Sequence, residues 1–299
     1  MKKKQNILVT GGSGFMGSHL ADALTDTGHN VTIFDIKKSS YLKSKQNMII
    51  ANIMDICSIK KAMKGIDVVY HFAGLADIDE AYNNPLDTMK LNVLGTTNVL
   101  EAARENMVKK VIFASTIYVY SRTGSFYRVS KHACELLLET YHENYGMDYT
   151  ILRFGTLYGT RPNEHNSVYR FLKEALSTGK INFKGTGSEV REYIHVSDAA
   201  NICAKVLDNE FSGQTLILTG HHRMRLSELL DMINEILCNK IKITYYSKNS
   251  LAHYTQTPYS YIPRVGKKII MNTYCDLGQS LVEILDEINS KNSNEEIKL

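Results

Sequence analysis

Long apolar runs are missing from this chain. No stretch approaches the ~18 consecutive apolar residues that a membrane span requires. The basic start Met1-Lys2-Lys3-Lys4 leads into only a short apolar strand before glycines begin, which is not the pattern of a secretory leader. A membrane partner is not expected, and the cytoplasm is the expected compartment. Cysteine is scarce: Cys57, Cys134, Cys203, Cys238 and Cys275 are scattered and form no C-x-x-C pair or Cys/His cluster with metal spacing. Reduced structural thiols are expected, and no metal. His221-His222 does not change this, because adjacent side chains point different ways and no third ligand is apparent. Also missing is a basic patch: the net charge of +4 is spread along the chain, which argues against nucleic acid. There are no repeats and no low-complexity tract, and the one tail-like piece is polar, Lys291 to Leu299.

What is present is globular. With 299 residues and 43% hydrophobic content, the chain can bury a substantial core in one large domain or two smaller ones.

The run Ile7-Leu8-Val9-Thr10 reads as a buried parallel strand, and Gly11-Gly12-Ser13-Gly14-Phe15-Met16-Gly17 follows it directly. Ser18 to Leu24 then reads as a helix. A first glycine permits a tight turn, a second lets backbone N–H groups approach a pyrophosphate, and a third lets the helix pack on the strand. A second strand, Val31 to Phe34, ends at Asp35, where a carboxylate can accept from a ribose 2′-hydroxyl and repel a 2′-phosphate. That favours NAD over NADP, although Lys37 and Lys38 stand close by. An ordinary strand-to-helix turn would explain the glycines alone. It does not explain strand, helix, second strand and acid in this order.

Apolar runs at Ile7–Val9, Val31–Phe34, Asn47–Ile50, Val68–Phe72, Val111–Ala114 and Thr150–Arg153 alternate with segments of helical period at Ser58–Met63, Pro85–Asn106 and Ser130–Tyr145. This βαβ series predicts an α/β fold with a doubly wound parallel sheet of the Rossmann type. Past Arg153 the alternation loosens, with helical segments at Val168–Ser177, Ser227–Leu237 and Leu281–Ile288, predicting a smaller C-terminal α/β substrate lobe. The expected division is an NAD-binding domain at 1–155 plus about 193–220, and a substrate-binding lobe at 156–192 and 221–299.

Tyr127 and Lys131 share one helical face at positions i and i+4, so the ammonium can sit near the phenol. A free phenol has a pKa near ~10 and is a poor base at neutral pH, but an adjacent cation favours the phenolate. Tyr127 can then accept a hydroxyl proton as hydride leaves the same carbon. Ser115-Thr116, at the end of the Val111–Ala114 strand, is placed to supply a hydroxyl near the developing carbonyl oxygen. A surface Tyr and Lys sharing a helix is the bland explanation of that spacing. The glycine turn and the Ser-Thr strand end weigh against it.

With these residues in place, the chain resembles the extended short-chain dehydrogenase/reductase family, in particular its nucleotide-sugar epimerase and dehydratase branch, over nearly its whole length. Thr10 to Gly17 looks like the family's TGGxGFIG, which implies cofactor contacts from Gly11, Gly14, Phe15, Met16 and Gly17, followed by Asp35 and Ile36. Asn52-Ile53-Met54-Asp55 resembles the adenine-contacting DxxD with Asn52 for the first acid, implying Asn52 and Ile53 as contacts. His71-Phe72-Ala73-Gly74 looks like the strand end beside the cofactor, implying Phe72, Ala73 and Gly74. Asn92 to Asn98 looks like NVxGTxN and adds Asn92. Tyr127-Arg128-Val129-Ser130-Lys131 matches YxxSK, with Glu135 in its usual place, and the same comparison assigns Ser115, Tyr127, Lys131 and Phe154 to the cofactor. Gly185 to Asp198 resembles GxGxxxRDFxxVxD, whose arginine, here Arg191, grips the substrate's phosphates; Arg264-Val265-Gly266 looks like a second phosphate-binding RxG. Thr116 falls where the family's catalytic Ser/Thr lies and is also implied to contact substrate.

The resemblance therefore implies Thr116, Tyr127 and Lys131 as catalytic residues of an NAD-dependent enzyme acting on a nucleoside-diphosphate sugar, as a C4 epimerase working through a 4-keto intermediate. A ketoreductase or dehydrogenase is the alternative, since the same residues serve both. Ile117 and Tyr118 stand where dehydratases carry Asp-Glu, which disfavours dehydration. A non-catalytic dinucleotide-binding regulator is a third reading, opposed by the intact Thr116, Tyr127 and Lys131. The chain departs from the family in having Thr156 for an Asn, and in having only ten residues, 117 to 126, between Thr116 and Tyr127, roughly half the usual interval. The second departure implies a pocket that is open or completed by another segment. The family's pairing of the Pro85–Asn106 and Ser130–Tyr145 helices, here carrying Leu91, Leu94, Leu136 and Leu137, implies a homodimer.

Overall fold

Ile7, Leu8 and Val9 are fully buried in β1 (Asn6–Thr10), because a parallel strand in the middle of a sheet is covered on both faces. The fold comes from a computed structural model that describes residues 4–221, 223–246 and 253–261, all within one unit, Met1–Ile262. Arg264 and the helical segment expected at Leu281–Ile288 lie outside the described residues.

After β1 come α1 (Phe15–Asp26), β2 (Asn30–Asp35), β3 (Gln46–Ile50), α2 (Ile56–Ala62) and β4 (Val68–His71). Asp55 caps α2 by accepting from the N–H groups of Cys57 and Ser58. There follow α3 (Ile78–Asn83), α4 (Pro85–Met89), a π-helical turn (Lys90–Leu94) and α5 (Gly95–Glu105). The last three run on from one another, so the single helix expected at Pro85–Asn106 is present with a π-bulge inside it. Next are β5 (Lys110–Thr116), α6 (Ser125–Tyr145), β6 (Asp148–Phe154), β7 (Thr156–Tyr158), α7 (Ser167–Thr178), β8 (Lys180–Lys184), β9 (Val190–His195) and α8 (Val196–Lys205). The described elements end with β10 (Gln214–Leu218), β11 (Arg223–Arg225), α9 (Leu226–Ile236) and β12 (Lys242–Tyr246).

Seven of the strands form one parallel sheet in the order β10-β6-β5-β4-β1-β2-β3. The chain winds outward in both directions from β1 and β4, so the crevice where ligands bind such sheets opens at the C-terminal ends of those two strands. Alternation within β1 divides the core. Ile7 and Val9 pack with Leu20 and Leu24 of α1 and Ala199 and Cys203 of α8, while Leu8 packs with Leu100 of α5 and Leu138 of α6. The doubly wound α/β fold expected from the sequence is the observed one.

The remaining strands build smaller sheets: β11-β9-β7, and a parallel pair β12-β8. The pair has a core of its own, with Ile181 of β8, Phe171 and Ala175 of α7, and Leu226, Leu230 and Ile233 of α9. Among the described residues, no helix is long and apolar enough to cross a membrane.

Candidate active site

The glycine turn leaves β1 at Gly11, whose φ of +72° lies in the left-handed region; a Cβ there would stand 2.6 Å from the Ala73 nitrogen. At Gly17 a Cβ would meet the Gly11 carbonyl at 2.2 Å, so a side chain at either position would push the turn off the strand or the helix off the turn. The helix starts after Gly14 with no side chain capping it and no acid in its first turn. Its first N–H groups are thus left for an anion. Phe15 and Met16 sit in that turn, and Phe72 and Ala73 close the other side. Asp35 at the end of β2 accepts from the Ser13 N–H at 3.0 Å and the Lys37 N–H at 3.1 Å, tying the second strand to the glycine loop. Ile36 beside it is exposed. A cradle that admits no Cβ, an uncapped helix end and a strand-end carboxylate fit a dinucleotide.

Further along the crevice, Asn52 folds its side chain back onto the Met54 N–H at 2.9 Å, and Ile53 is buried. Asn98 holds this loop by donating to the Ile53 carbonyl at 3.1 Å.

A buried polar network joins the strand ends to α6. His71 bonds Thr10 Oγ1 at 2.7 Å through Nδ1 and Thr96 Oγ1 at 2.9 Å through Nε2. Asn92, inside the π-bulge and 2% exposed, accepts from the Leu75 N–H at 2.7 Å and donates to the Leu75 carbonyl at 3.0 Å and Ser130 Oγ at 2.9 Å. Asn92 therefore fixes the loop after Gly74 to the helix that carries Tyr127. A π-bulge displaces side chains from the regular helical positions, which lets Asn92 face inward at a turn otherwise shaped for packing. Burial, reinforced by the charge of Lys131, holds His71 at about 3, well below the ordinary imidazole value.

Thr116 ends β5, and α6 begins at Ser125 rather than at Ser130, so Tyr127 lies in its first turn. The entry is tight: Gly124 has φ +101° and Ser125 φ +51°. Burial raises the Tyr127 phenol to about 12, and the Thr116 hydroxyl, hydrogen-bonded to it, acts in the lowering direction. Lys131 is 5% exposed; its Nζ donates to the Ala114 carbonyl at 2.8 Å and sits 4.8 Å from the Phe113 ring centre. The Lys131 ammonium is thus engaged by the Ala114 carbonyl and the Phe113 ring. Ser115 faces the other way: its hydroxyl donates to Glu135 at 2.5 Å, and Glu135 forms a buried two-point ion pair with Arg153 at 2.9 and 2.6 Å. Of the two hydroxyls expected at the site, only that of Thr116 meets Tyr127, because consecutive strand residues point to opposite faces. Phe154, at the end of β6, packs edge-on against Phe72 at 5.8 Å.

The short connection from Thr116 to Tyr127 is covered by residues 253–261. Tyr254 packs on Tyr118 at 4.6 Å between ring centres, and the Tyr118 hydroxyl shares a 2.8 Å hydrogen bond with His253 Nδ1. Tyr261 packs on Tyr120 at 5.0 Å and accepts from Arg153 at 3.0 Å. Another part of the chain thus packs on the shortened segment. Arg191 faces this segment, its guanidinium 4.2 Å from the Tyr254 ring centre. Neither His253 nor Tyr254 was singled out from the sequence, since nothing local to them marks a partner more than a hundred residues away.

A model of the NAD dependent epimerase/dehydratase family matches residues 7–218. The chain belongs to this family. It is 30% identical over 268 residues to the UDP-N-acetyl-alpha-D-glucosaminuronate decarboxylase of Bacillus cytotoxicus, covering 81% of this chain and 83% of that protein. Among solved structures, the UDP-N-acetylglucosamine 4-epimerase of Methanobrevibacter ruminantium in complex with UDP-N-acetylmuramic acid aligns with a TM-score of 0.77 and 28% identity, covering 87% of this chain and 90% of that one. The UDP-glucose 4-epimerase of Thermotoga maritima with UDP-glucose aligns with a TM-score of 0.78 and 25% identity, over 86% of this chain and 90% of that one.

Proposed function

We propose that this family member is an NAD-dependent epimerase that inverts C4 of a nucleoside-diphosphate sugar through a transient 4-keto intermediate. The observation that carries the reading is the meeting of the Tyr127 phenol and the Thr116 hydroxyl at the end of β5. That pairing supports a proton acceptor and a carbonyl partner near the C-terminal ends of the strands that form the crevice. NAD, when bound, supplies the hydride acceptor and, on the return, the hydride donor. The turn at Gly11, Gly14 and Gly17, with the first residues of α1, would hold its phosphates, Asp35 a ribose, and Asn52 and Ile53 the adenine. Tyr127 takes the proton of the sugar 4-hydroxyl, Thr116 steadies the oxygen as it becomes a carbonyl, and Lys131, one turn further along the same helix, would tune Tyr127 and hold the nicotinamide ribose. The ketone would then turn to present its other face to the returning hydride, while Tyr127 gives the proton back to the oxygen. Arg191, and Arg264 outside the described residues, are the proposed partners of the diphosphate.

In this reading residues 1–155 and about 193–220 bind the cofactor, and 156–192 with 221–299 form the substrate lobe. The test is direct: the purified protein is incubated with NAD and a UDP-hexose, and the C4 epimer is sought by nuclear magnetic resonance. No interconversion of any nucleotide sugar would remove the reading. The similarity to a decarboxylase favours one second reading, because a 4-keto uronate is a β-keto acid and loses CO2 readily. Release of CO2 from a UDP-uronate, without a C4 epimer, would select it.

The protein is further proposed to act in the cytoplasm as a homodimer. Leu94 of the π-bulge and Leu136 of α6 are exposed, 49% and 53%, whereas Leu91 and Leu137 on the same elements pack against the core. Exposed leucines on two neighbouring helices support a helix-to-helix contact. A Leu136→Glu variant is expected to sediment as a monomer where the parent sediments as a dimer.

A further inference from the structure

Tyr254 is 6% exposed, and both departures of the chain from the family pattern meet at it. The shortened 117–126 connection reaches it through Tyr118, whose ring centre lies 4.6 Å away. Thr156, which stands in place of an Asn, is hydrogen-bonded to its hydroxyl. The Arg191 guanidinium lies over the same ring, 4.2 Å from its centre. The backbones are in register as well: the N–H of Val190, one residue before Arg191, donates to the carbonyl of Thr255, one residue after Tyr254, at 2.8 Å. Arg191 and Tyr254 are thus joined through their side chains and through the segments that carry them.

We propose that Tyr254 is a positioning residue for substrate binding, its ring face holding the Arg191 guanidinium in place for the diphosphate of the nucleotide sugar. This rests on the reading above, in which Arg191 grips that diphosphate. An arginine side chain free in water loses rotamer freedom when it closes on a phosphate, and that loss weakens binding. Contact with the Tyr254 ring removes the freedom beforehand.

The means of holding matters. A carboxylate would fix an arginine equally well, but it would neutralise the charge and have to be displaced by the phosphate. Among the described residues no ion pair engages Arg191, and its Nη1 donates to the Val190 carbonyl at 2.9 Å. A guanidinium stacked on a ring keeps its charge, and keeps its other in-plane N–H donors for an anion. The ring in turn is kept from following the arginine by Tyr118 on the connection and by Thr156 at its hydroxyl.

The experiment is calorimetric titration of the NAD-loaded protein with UDP and dTDP, and with uridine and thymidine, which lack the diphosphate. Tyr254→Leu and Tyr254→Met, neither of which has a ring face, are expected to weaken the bound diphosphate about tenfold and to leave its nucleoside and NAD within about twofold. Tyr254→Phe, which keeps the ring, should bind as the parent does. In an Arg191→Ala background Tyr254→Leu should cost nothing further, because the ring acts through the arginine. Diphosphate affinity unchanged in Tyr254→Leu and Tyr254→Met, a nucleoside weakened as much as its diphosphate, Tyr254→Phe as weak as Tyr254→Leu, or full additivity with Arg191→Ala would each overturn the proposal and leave the C4 reading standing. An Arg191→Ala variant that binds the diphosphate as the parent does removes the assignment of Arg191 and the proposal with it. A parent that binds neither diphosphate removes the reading as well.

Discussion

At the residue scale, the site depends on protons held away from their ordinary positions. With its phenol at about 12, Tyr127 is a base only in the small fraction that has ionised, and that fraction grows with pH. The rate of sugar oxidation is expected to rise about tenfold per pH unit between pH 7 and 9, read from pre-steady-state reduction of the cofactor. Tyr127→Phe should lower kcat by about 10² to 10⁴ and flatten that profile, while cofactor affinity measured by calorimetry stays within a few-fold. The ion pair of Glu135 and Arg153 is a different kind of residue-scale feature, with side chains only 2% and 8% exposed. Glu135→Ala leaves Arg153 buried without its counter-ion and should cost about 3–5 kcal/mol in urea unfolding. That cost would come chiefly from stability, because Glu135 touches Ser115 and Arg153 rather than Tyr127.

At the element scale, the glycine turn works by exclusion. Gly17→Ala puts a methyl 2.2 Å from a backbone oxygen, and neither the strand nor α1 can yield without opening the cradle. Overpacking of this kind costs about 1–3 kcal/mol, so NAD affinity should drop roughly ten- to hundredfold in a calorimetric titration. This turn was legible in the sequence because its chemistry is local, with strand, glycines, helix and acid following one another along the chain. The same holds for the parallel sheet and for the pairing of Tyr127 with Thr116. Boundaries were less legible. The start of α6 at Ser125 depends on the left-handed Gly124, and the π-bulge at Lys90–Leu94 depends on what Asn92 finds across the crevice. The separate role of Ser115 follows from strand alternation once the neighbouring helix is in place. The partnership of Tyr118 with His253 could not be read at all, since 135 residues separate the two and no spacing rule joins them.

At the scale of the whole molecule, the burial of His71 ties the site to acid stability. Its folded value, about 3, lies below the 6.5 of an unfolded imidazole, so between those values the unfolded chain binds a proton that the folded chain refuses. Stability from this group is complete above about pH 6.5 and is lost as pH falls toward 3. A shift of that size corresponds to a loss on the order of 5 kcal/mol. Urea midpoints taken across this window should fall with pH more steeply in the parent than in His71→Asn.

The covering of the Thr116–Tyr127 connection by residues 253–261 also has a consequence for synthesis. The strands that form the cofactor crevice, with Thr116 at the end of β5 and Tyr127 on α6, are complete once β10 has emerged from the ribosome. Tyr254 and Tyr261 reach Tyr118 and Tyr120 only after 36 and 43 more residues, counted from Leu218, have been made. A nascent chain can therefore hold a folded dinucleotide crevice before the cover on the Thr116–Tyr127 connection has been made.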